Sequence, residues 1–377
     1  MKLIVFDSFC TELEKLWKEL EPVSQHHVFQ SHEWLRFWQK TIGDRTLRGV
    51  PWIAVVLDTD DQPRMIFPFG IRRHFGVRVL EFLGGGQADY QGPLIHNGWI
   101  SDISNVESAW NLVCNALPRH DIRHLVKLPA QWCAEDNPML RILKCKFQDS
   151  SYSSRLPEDV NKFQLRLRPK LKADTHRQRR RLSELGTVKF EVIDKNDTWL
   201  AALDVMIEQK RRRYRSTGVP DMFSDKAVQQ FYRELPKRFA EEGRIHFSIV
   251  RLDDEILSTH WGAIYRDRFY FLLPTYESEK WGPYSPGRLL LSNLIEWCIQ
   301  NGLKVFDFTI GGEDYKKDWC NSEMPLFEHL HIVTPIGLPY LSYILLRRRA
   351  RRSTRVWSSI TLIYSWLQYG KRNGNKF

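Results

Sequence analysis

Two periodicities alternate along this chain. Lys2–Phe6 is a short apolar run that predicts a strand, and Leu13, Leu16, Trp17 and Leu20 share one face of a helix over 11–20. Trp34, Phe37 and Trp38 recur at helical spacing within 29–43, with Ser31 placed to cap that helix. Strands over 51–58 and 64–71 flank an Asp60-Asp61 turn, and a third over 77–83 runs into Gly84-Gly85-Gly86. A helix at 103–117 and a strand near 122–128 complete a first α/β unit.

The same alternation resumes after residue 160. Leu165–Leu185 predicts a basic helix closed by Gly186 as a C-cap. A strand at 188–193 and helices at 198–214 and 224–241 follow. Three strands, 245–252, 256–265 and 268–276, are joined by tight turns at Asp253-Asp254 and Arg266-Asp267. A loop (277–287), a helix (288–301) and a strand (304–310) close the series. The halves share a coarse order without a residue-level repeat. The division is 1–160, 161–335 and a tail, 336–377. In the tail an apolar run (Ile336–Leu346) and an arginine block (Arg347–Arg355) precede Val356, Trp357, Ile360, Tyr364 and Trp366. Apolar and aromatic residues beside dense arginine predict an interfacial segment on an anionic membrane.

Composition narrows the partners. At 377 residues and 42% hydrophobic content the chain is long enough for two cores. Its net charge of +11 favours an anionic ligand. The charge gathers at Arg166–Arg181, Lys210–Arg215 and Arg347–Arg355. No aromatic residues interleave the first run and no nucleic-acid-binding spacing appears, so it is expected to be a solvated helix face. Lys210–Arg215 is expected to be another. Cys10, Cys114, Cys133, Cys145, Cys298 and Cys320 show no paired or zinc-ligand spacing. They are expected to be reduced thiols of a cytoplasmic protein, with no metal. The opening MKLIVFDSFC does not fit a signal peptide, and no apolar run is long enough to predict a spanning helix.

Arg268–Trp319 carries the chemistry. A strand leads into SEKWGPYSPG, a helix starts at once, and KVFDFTIGG with EDYKKDW completes the segment. A Gly- and Ser-bearing loop at a helix start presents unpaired N–H groups suited to a pyrophosphate. Gly287 permits close approach and Arg288 adds charge. Ser285-Pro286-Gly287, Leu290, Asp307-Phe308, Gly311, Tyr315-Lys316 and Trp319 resemble the signature of GNAT-fold acyltransferases of the CelD type. These proteins are found beside bacterial cellulose and exopolysaccharide genes. The match is dense over this segment and looser over 160–335. SHEWLRFW and ADYQGPLI resemble the partner domain of such proteins. The segment lacks the Q/R-x-x-G-x-G/A loop of ordinary GNAT enzymes. The family is distantly similar to Fem-type peptidoglycan aminoacyl transferases.

The resemblance implies an α/β, tandem GNAT fold (α+β mixed sheets) and acyl transfer from acyl-CoA, acetyl-CoA first. Ser285, Gly287, Arg288 and Leu289 would hold the donor, with Leu273 and Thr275 on the strand whose splayed N–H groups polarise the thioester. A bulge is expected at Pro274. Tyr315 would be the acid and Lys316 a cation for developing negative charge. Glu313, Asp307, His260 or bound water would be the base. Asp307 is equally well read as a structural carboxylate, and His260 as a core histidine. Asp89, Tyr90 and Tyr276 would line an acceptor cleft, though Asp89 also fits an Asx turn. The Trp34/Phe37/Trp38 stripe is core first. The acceptor implied is an amine or hydroxyl of an envelope polysaccharide or glycolipid precursor. The protein is placed on the inner face of the cell membrane. Two alternatives stay open. One is a Fem-like transferase taking its donor from charged tRNA, the only reading that brings in nucleic acid. The other is a non-catalytic, membrane-docked accessory protein of polymer synthesis.

Overall fold

The computed structural model describes residues 1–47, 49–132, 135–193 and 196–351. Cys133 and the tail from Arg352 onward, including Trp357 and Trp366, lie outside the described residues. Twelve strands run in one path. The first half supplies β1 (Lys2–Phe6), β2 (Val50–Leu57), β3 (Pro63–His74), β4 (Val77–Phe82), β5 (Ile122–Pro129) and β6 (Cys145–Arg155). The second supplies β7 (Val188–Val192), β8 (Ile245–Leu252), β9 (Glu255–Tyr265), β10 (Arg268–Tyr276), β11 (Val305–Ile310) and β12 (Ser322–Ile332).

Their order is β1-β2-β3-β4-β5-β12-β6-β11-β10-β9-β8-β7. Each half therefore lends its last strand to the other. β12 lies antiparallel against β5, with Leu330 opposite His124. β6 lies antiparallel against β11, with Ser154 opposite Phe306. The two exchanged strands pair with each other at the centre. The turns at Asp253 and Arg266 take positive φ of 48° and 57°, which tight hairpin turns require.

The helices are α1 (Thr11–Leu20), α2 (His32–Trp38), α3 (Ile103–Ala116), α4 (Pro169–Ser183), α5 (Asn196–Thr217), α6 (Lys226–Glu241), α7 (Pro286–Gln300) and α8 (Leu338–Arg351). The helix expected over 165–185 is broken. A short helix ends at Arg166, and Leu167 and Arg168 are extended before Pro169 opens α4. A proline ring disfavours helical backbone in the residue before it. Gly186 is not a left-handed cap, since its φ is not positive. Its missing Cβ instead leaves room for the Asp253 carboxylate. Ser31 stands at the N-cap of α2, but its hydroxyl donates to the Val28 carbonyl at 2.7 Å. No helix among the described residues is long and apolar enough to cross a membrane.

On one face of the sheet, α1 and α2 of the first half and α5 and α6 of the second share a single core. Trp34 sits at their junction, its ring 5.4 Å from Phe231 and 6.2 Å from Trp261. On the other face α3 covers the first half and α7 the second, each over its own apolar cluster. Polar bonds add to the join. Tyr265 donates to Glu21 at 2.8 Å, and Arg266 donates to the Glu21 and Ser24 carbonyls, both at 2.9 Å.

Truncating Trp34 to Ala should cost about 3–5 kcal/mol, the usual range for a buried aromatic. The core is shared, so both halves should lose stability together in urea. Separate fluorescence and circular-dichroism transitions, with only one shifted, would contradict a common core.

Candidate functional site

β10 and β11 run parallel but pair only at Arg268–Val305, Phe269–Phe306 and Tyr270–Asp307. Beyond these pairs they diverge, β10 continuing to Tyr276 and β11 to Ile310. Two irregularities accompany the divergence. On β10, Phe271 and Leu272 stand opposite Gly262 alone. A Cβ on Gly262 would lie 2.5 Å from the Tyr270 carbonyl oxygen, so only glycine admits this bulge. The expected bulge at Pro274 is thus displaced, and Pro274 pairs in register with His260. On β11, Phe308 is the extra residue against β6, and Thr309 has φ of 58°.

Asp307 closes the apex. Its fully buried carboxylate accepts from the Thr309 N–H at 2.8 Å, the Tyr90 hydroxyl at 2.9 Å and the Arg268 guanidinium at 2.8 Å. Burial pushes its pKa up, and Arg268 opposes that rise. Lys316 is buried beside the β11 bulge. It donates to the carbonyls of Phe308 and Ile310, both at 3.0 Å, and of Gly311 at 3.1 Å, and pairs with Glu313 at 2.9 Å. Its ammonium protons are occupied by the backbone.

α7 begins at the mouth of the gap. Ser285 precedes it at φ of 51°, and no side chain caps the helix. Pro286 has no N–H, so Gly287 is the first residue able to donate. A Cβ on Gly287 would stand 3.0 Å from the Tyr276 ring, so the backbone is closely overlaid there. Arg288 is half-buried and makes no ion pair among the described residues. Arg181 of α4 lies over the Tyr284 ring, 4.8 Å from its centroid, which brings the basic helix to this loop.

α5 forms the other wall. Arg213 lies over Tyr276 at 5.1 Å. Lys210, three residues earlier, is half-buried. Burial and then Arg213 draw its ammonium down to about 8, with Glu313 opposing. Tyr315 keeps 42% of its surface exposed. Its hydroxyl is raised by burial and then by Glu313, while Arg213 acts in the other direction. Arg213, Lys210, Glu313 and Tyr315 are thus near enough to influence one another's charge, and Arg213 ties this group to Tyr276. The Thr259 and Thr275 hydroxyls, paired across β9 and β10, are buried without hydrogen-bond partners.

The first half repeats the parting of strands but fills it. β4 and β5 pair only at Val79–Ile122 and Leu80–Arg123. Residues 88–91 then bind across to β5. The Gln91 N–H donates to the Lys127 carbonyl at 3.0 Å, and Lys127 Nζ donates to the Ala88 carbonyl at 2.6 Å. Gly84-Gly85-Gly86 leads into a single 3-10 turn. Asp89 pairs with Lys127 at 3.5 Å and faces Tyr232 of α6, whose hydroxyl it helps to raise after burial.

The residues singled out from sequence divide accordingly. Ser285, Gly287 and Arg288 lie at the start of α7, where Gly287 meets the Tyr276 ring, Thr275 is buried beside Tyr276, and Glu313 and Tyr315 follow β11. His260 does not reach them. It is fully buried, stacked 4.6 Å from Phe271, and burial holds it well below its usual pKa. Tyr90 is 1% exposed and committed to Asp307, so it joins the halves rather than lining a cleft. Leu289 packs with Leu182 and Trp281, and Leu273 with the shared core. Lys210 and Arg213 were hidden in a charge run, and their i, i+3 spacing was the only hint that they act together. Elsewhere Glu14, His32 and Glu33 bring possible metal-ligand atoms within 4.8 Å of one another. Lys18 and Arg36 already pair with these carboxylates.

Residues 169–317 match the family model described as Acetyltransferase (GNAT) domain. Among solved structures the chain is similar to FemX, with a TM-score of 0.61 at 9% identity over 88% of this chain and 98% of that one. It is similar to the C-terminal domain of a putative lysylphosphatidylglycerol synthetase from Agrobacterium fabrum, with a TM-score of 0.52 at 9% identity over 89% and 97%. It is also similar to L-PGS from Bacillus licheniformis, with a TM-score of 0.51 at 12% identity over 89% and 96%. Identities this low speak for the fold alone. No curated protein sequence matches the chain significantly. Residues 169–317 form a GNAT-type acetyltransferase domain.

Substitution separates the neighbours Tyr315 and Lys316. Lys316→Met strands buried carbonyls and should cost about 2–5 kcal/mol of stability. Tyr315→Phe should stay within about 0.5 kcal/mol of the parent. Equal thermal unfolding of the two variants would remove the structural role assigned to Lys316.

Proposed function

We propose that this protein moves an acyl group, acetyl in the first instance, from acyl-CoA to an amine or hydroxyl of an envelope polysaccharide or glycolipid precursor. The parting of β10 and β11 beneath the uncapped start of α7 carries the donor half of this reading. A pantetheine arm is a narrow chain with amide groups, suited to the gap between two unpaired strand edges. The pyrophosphate would sit at Gly287 and Arg288, where the helix dipole favours negative charge, with Arg181 beside it. N–H groups of β10 beyond Tyr270 would polarise the thioester carbonyl. Tyr315 would protonate the leaving thiolate. The acceptor would enter along α5, from the side where Asp89 faces Tyr232. A donor from charged tRNA and a non-catalytic docking role are the other outcomes of the binding test.

A membrane surface belongs to the same reading. Tyr340 and Ile344 of α8 pack on β4 and β5 through Val77, Val79 and Ile122. Leu345 and Leu346 are exposed beside Arg347, and Phe75 at the β3–β4 turn is 76% exposed and 5.8 Å from Tyr343. Apolar side chains beside arginines suit an anionic lipid surface. Leu345→Asp with Leu346→Asp should release the protein from phosphatidylglycerol vesicles in a sedimentation assay. Unchanged sedimentation would remove α8 from the contact.

Calorimetric titration with acetyl-CoA tests the donor. Micromolar binding is expected, weakened at least tenfold (about 1.4 kcal/mol) by Gly287→Trp with Arg288→Glu. No binding by the parent protein would sink the acyl-CoA reading.

A further inference from the structure

We propose that Glu14, His32 and Glu33 bind one divalent transition-metal ion, zinc first, which fastens α1 to α2. The site lies in the first half and stands apart from the acyl-CoA reading. The cysteine spacing does not bear on it, because its donors are one imidazole and two carboxylates. Two of these donors are sealed in and lack partners. His32 is 1% exposed, and neither of its ring nitrogens has a hydrogen-bond partner. Glu33 is 4% exposed, and its Oε2 has no partner either. His32 Nδ1 stands 3.6 Å from Glu33 Oε1, and an Arg36 guanidinium nitrogen stands 3.7 Å from Glu33 Oε2, both beyond hydrogen-bond distance. A buried carboxylate beside an unbonded imidazole is costly, and a cation that binds both relieves that cost.

Glu14 completes the set from α1. One ligand atom from each of the three residues lies within 4.8 Å of the others. Ligands about 2.0–2.2 Å from one zinc ion are about 3–4 Å apart, so side-chain movements of about 1 Å close the set. Glu14 is also the way in, its side chain 31% exposed. Lys18 pairs with Glu14 Oε1 but is itself half-exposed, and the carboxylate has a second oxygen to offer. Arg36 likewise approaches Glu33 from solvent.

The frame around the donors is fixed. The Trp17 indole N–H of α1 donates to the Gln30 carbonyl at 3.2 Å, just before α2. The His32 N–H donates to Glu21 Oε2 at 3.3 Å. The rings of Phe9 and Trp17 stand edge-on to the imidazole at 5.6 and 5.7 Å, an apolar shell of the kind that limits water at a metal. One nitrogen donor with two carboxylates suits zinc and its transition-metal neighbours, whereas calcium and magnesium take oxygen ligands. Three protein ligands leave one position for water. The ion would hold α1 against α2 where both enter the core shared with α5 and α6.

The full chain, freed of metal by a chelator, tests this. Calorimetric titration with zinc chloride should show one ion per chain bound at micromolar concentration or below, and excess magnesium should not compete. Cobalt(II) should bind in zinc's place and give visible absorption without a near-ultraviolet thiolate band, which separates this site from the six cysteines. Glu14→Gln, at the exposed edge of the site, should fold as the parent does and weaken zinc binding at least tenfold (about 1.4 kcal/mol). Zinc should raise the unfolding temperature of the parent and leave that of Glu14→Gln nearly unchanged. No zinc binding by the parent, a thiolate band at the first equivalent of cobalt, or unaltered zinc affinity in Glu14→Gln overturns the site.

Discussion

Everything at the proposed site depends on two parallel strands ceasing to pair at Asp307. Unpaired strand edges are costly when buried, because each N–H and C=O needs a partner. The fold meets that cost at specific residues. The Asp307 carboxylate takes the Thr309 N–H at the apex, and Lys316 takes three carbonyls at the bulge that follows. Gly262 removes the side chain that would block the opposing bulge on β10. What remains open is the edge of β10 toward the gap, available to a ligand that carries its own amides.

The same carboxylate ties the two halves together. Tyr90 reaches from the first half to Asp307, and its own segment fills the equivalent parting between β4 and β5. The halves repeat one geometric idea, and the first fills it from its own chain. This asymmetry is physical. Lys127 and Gln91 complete the backbone bonding of the first gap from within, whereas the second gap is bordered by the arginines and lysine of α5 and by the uncapped α7.

A good part of this was legible in the chain. The strands β8, β9 and β10, the turns at Asp253 and Arg266 and the start of α7 follow from local pattern and from the resemblance of one segment. The exchanged strands β6 and β12 were not legible. CKFQDSSYSSR has no apolar alternation to announce a strand, because its partners in both directions come from distant parts of the chain. His260 and Tyr90 had the chemistry of site residues, and only packing shows that they are enclosed.

The sequence by itself determined the order of helices and strands, the basic character of the chain and the segment that carries the transferase signature. These are local properties, set by periodicity, turn residues and composition over a few turns of chain. Tertiary structure alone decided which of two similar partings stays open and which charges lie within it. Lys210 and Arg181 sit in runs that look alike on paper. One is half-buried on α5 beside Arg213, while the other reaches the loop before α7 through the ring of Tyr284. Desolvation and neighbouring charge are properties of a place, and a linear sequence does not specify which residues will share one.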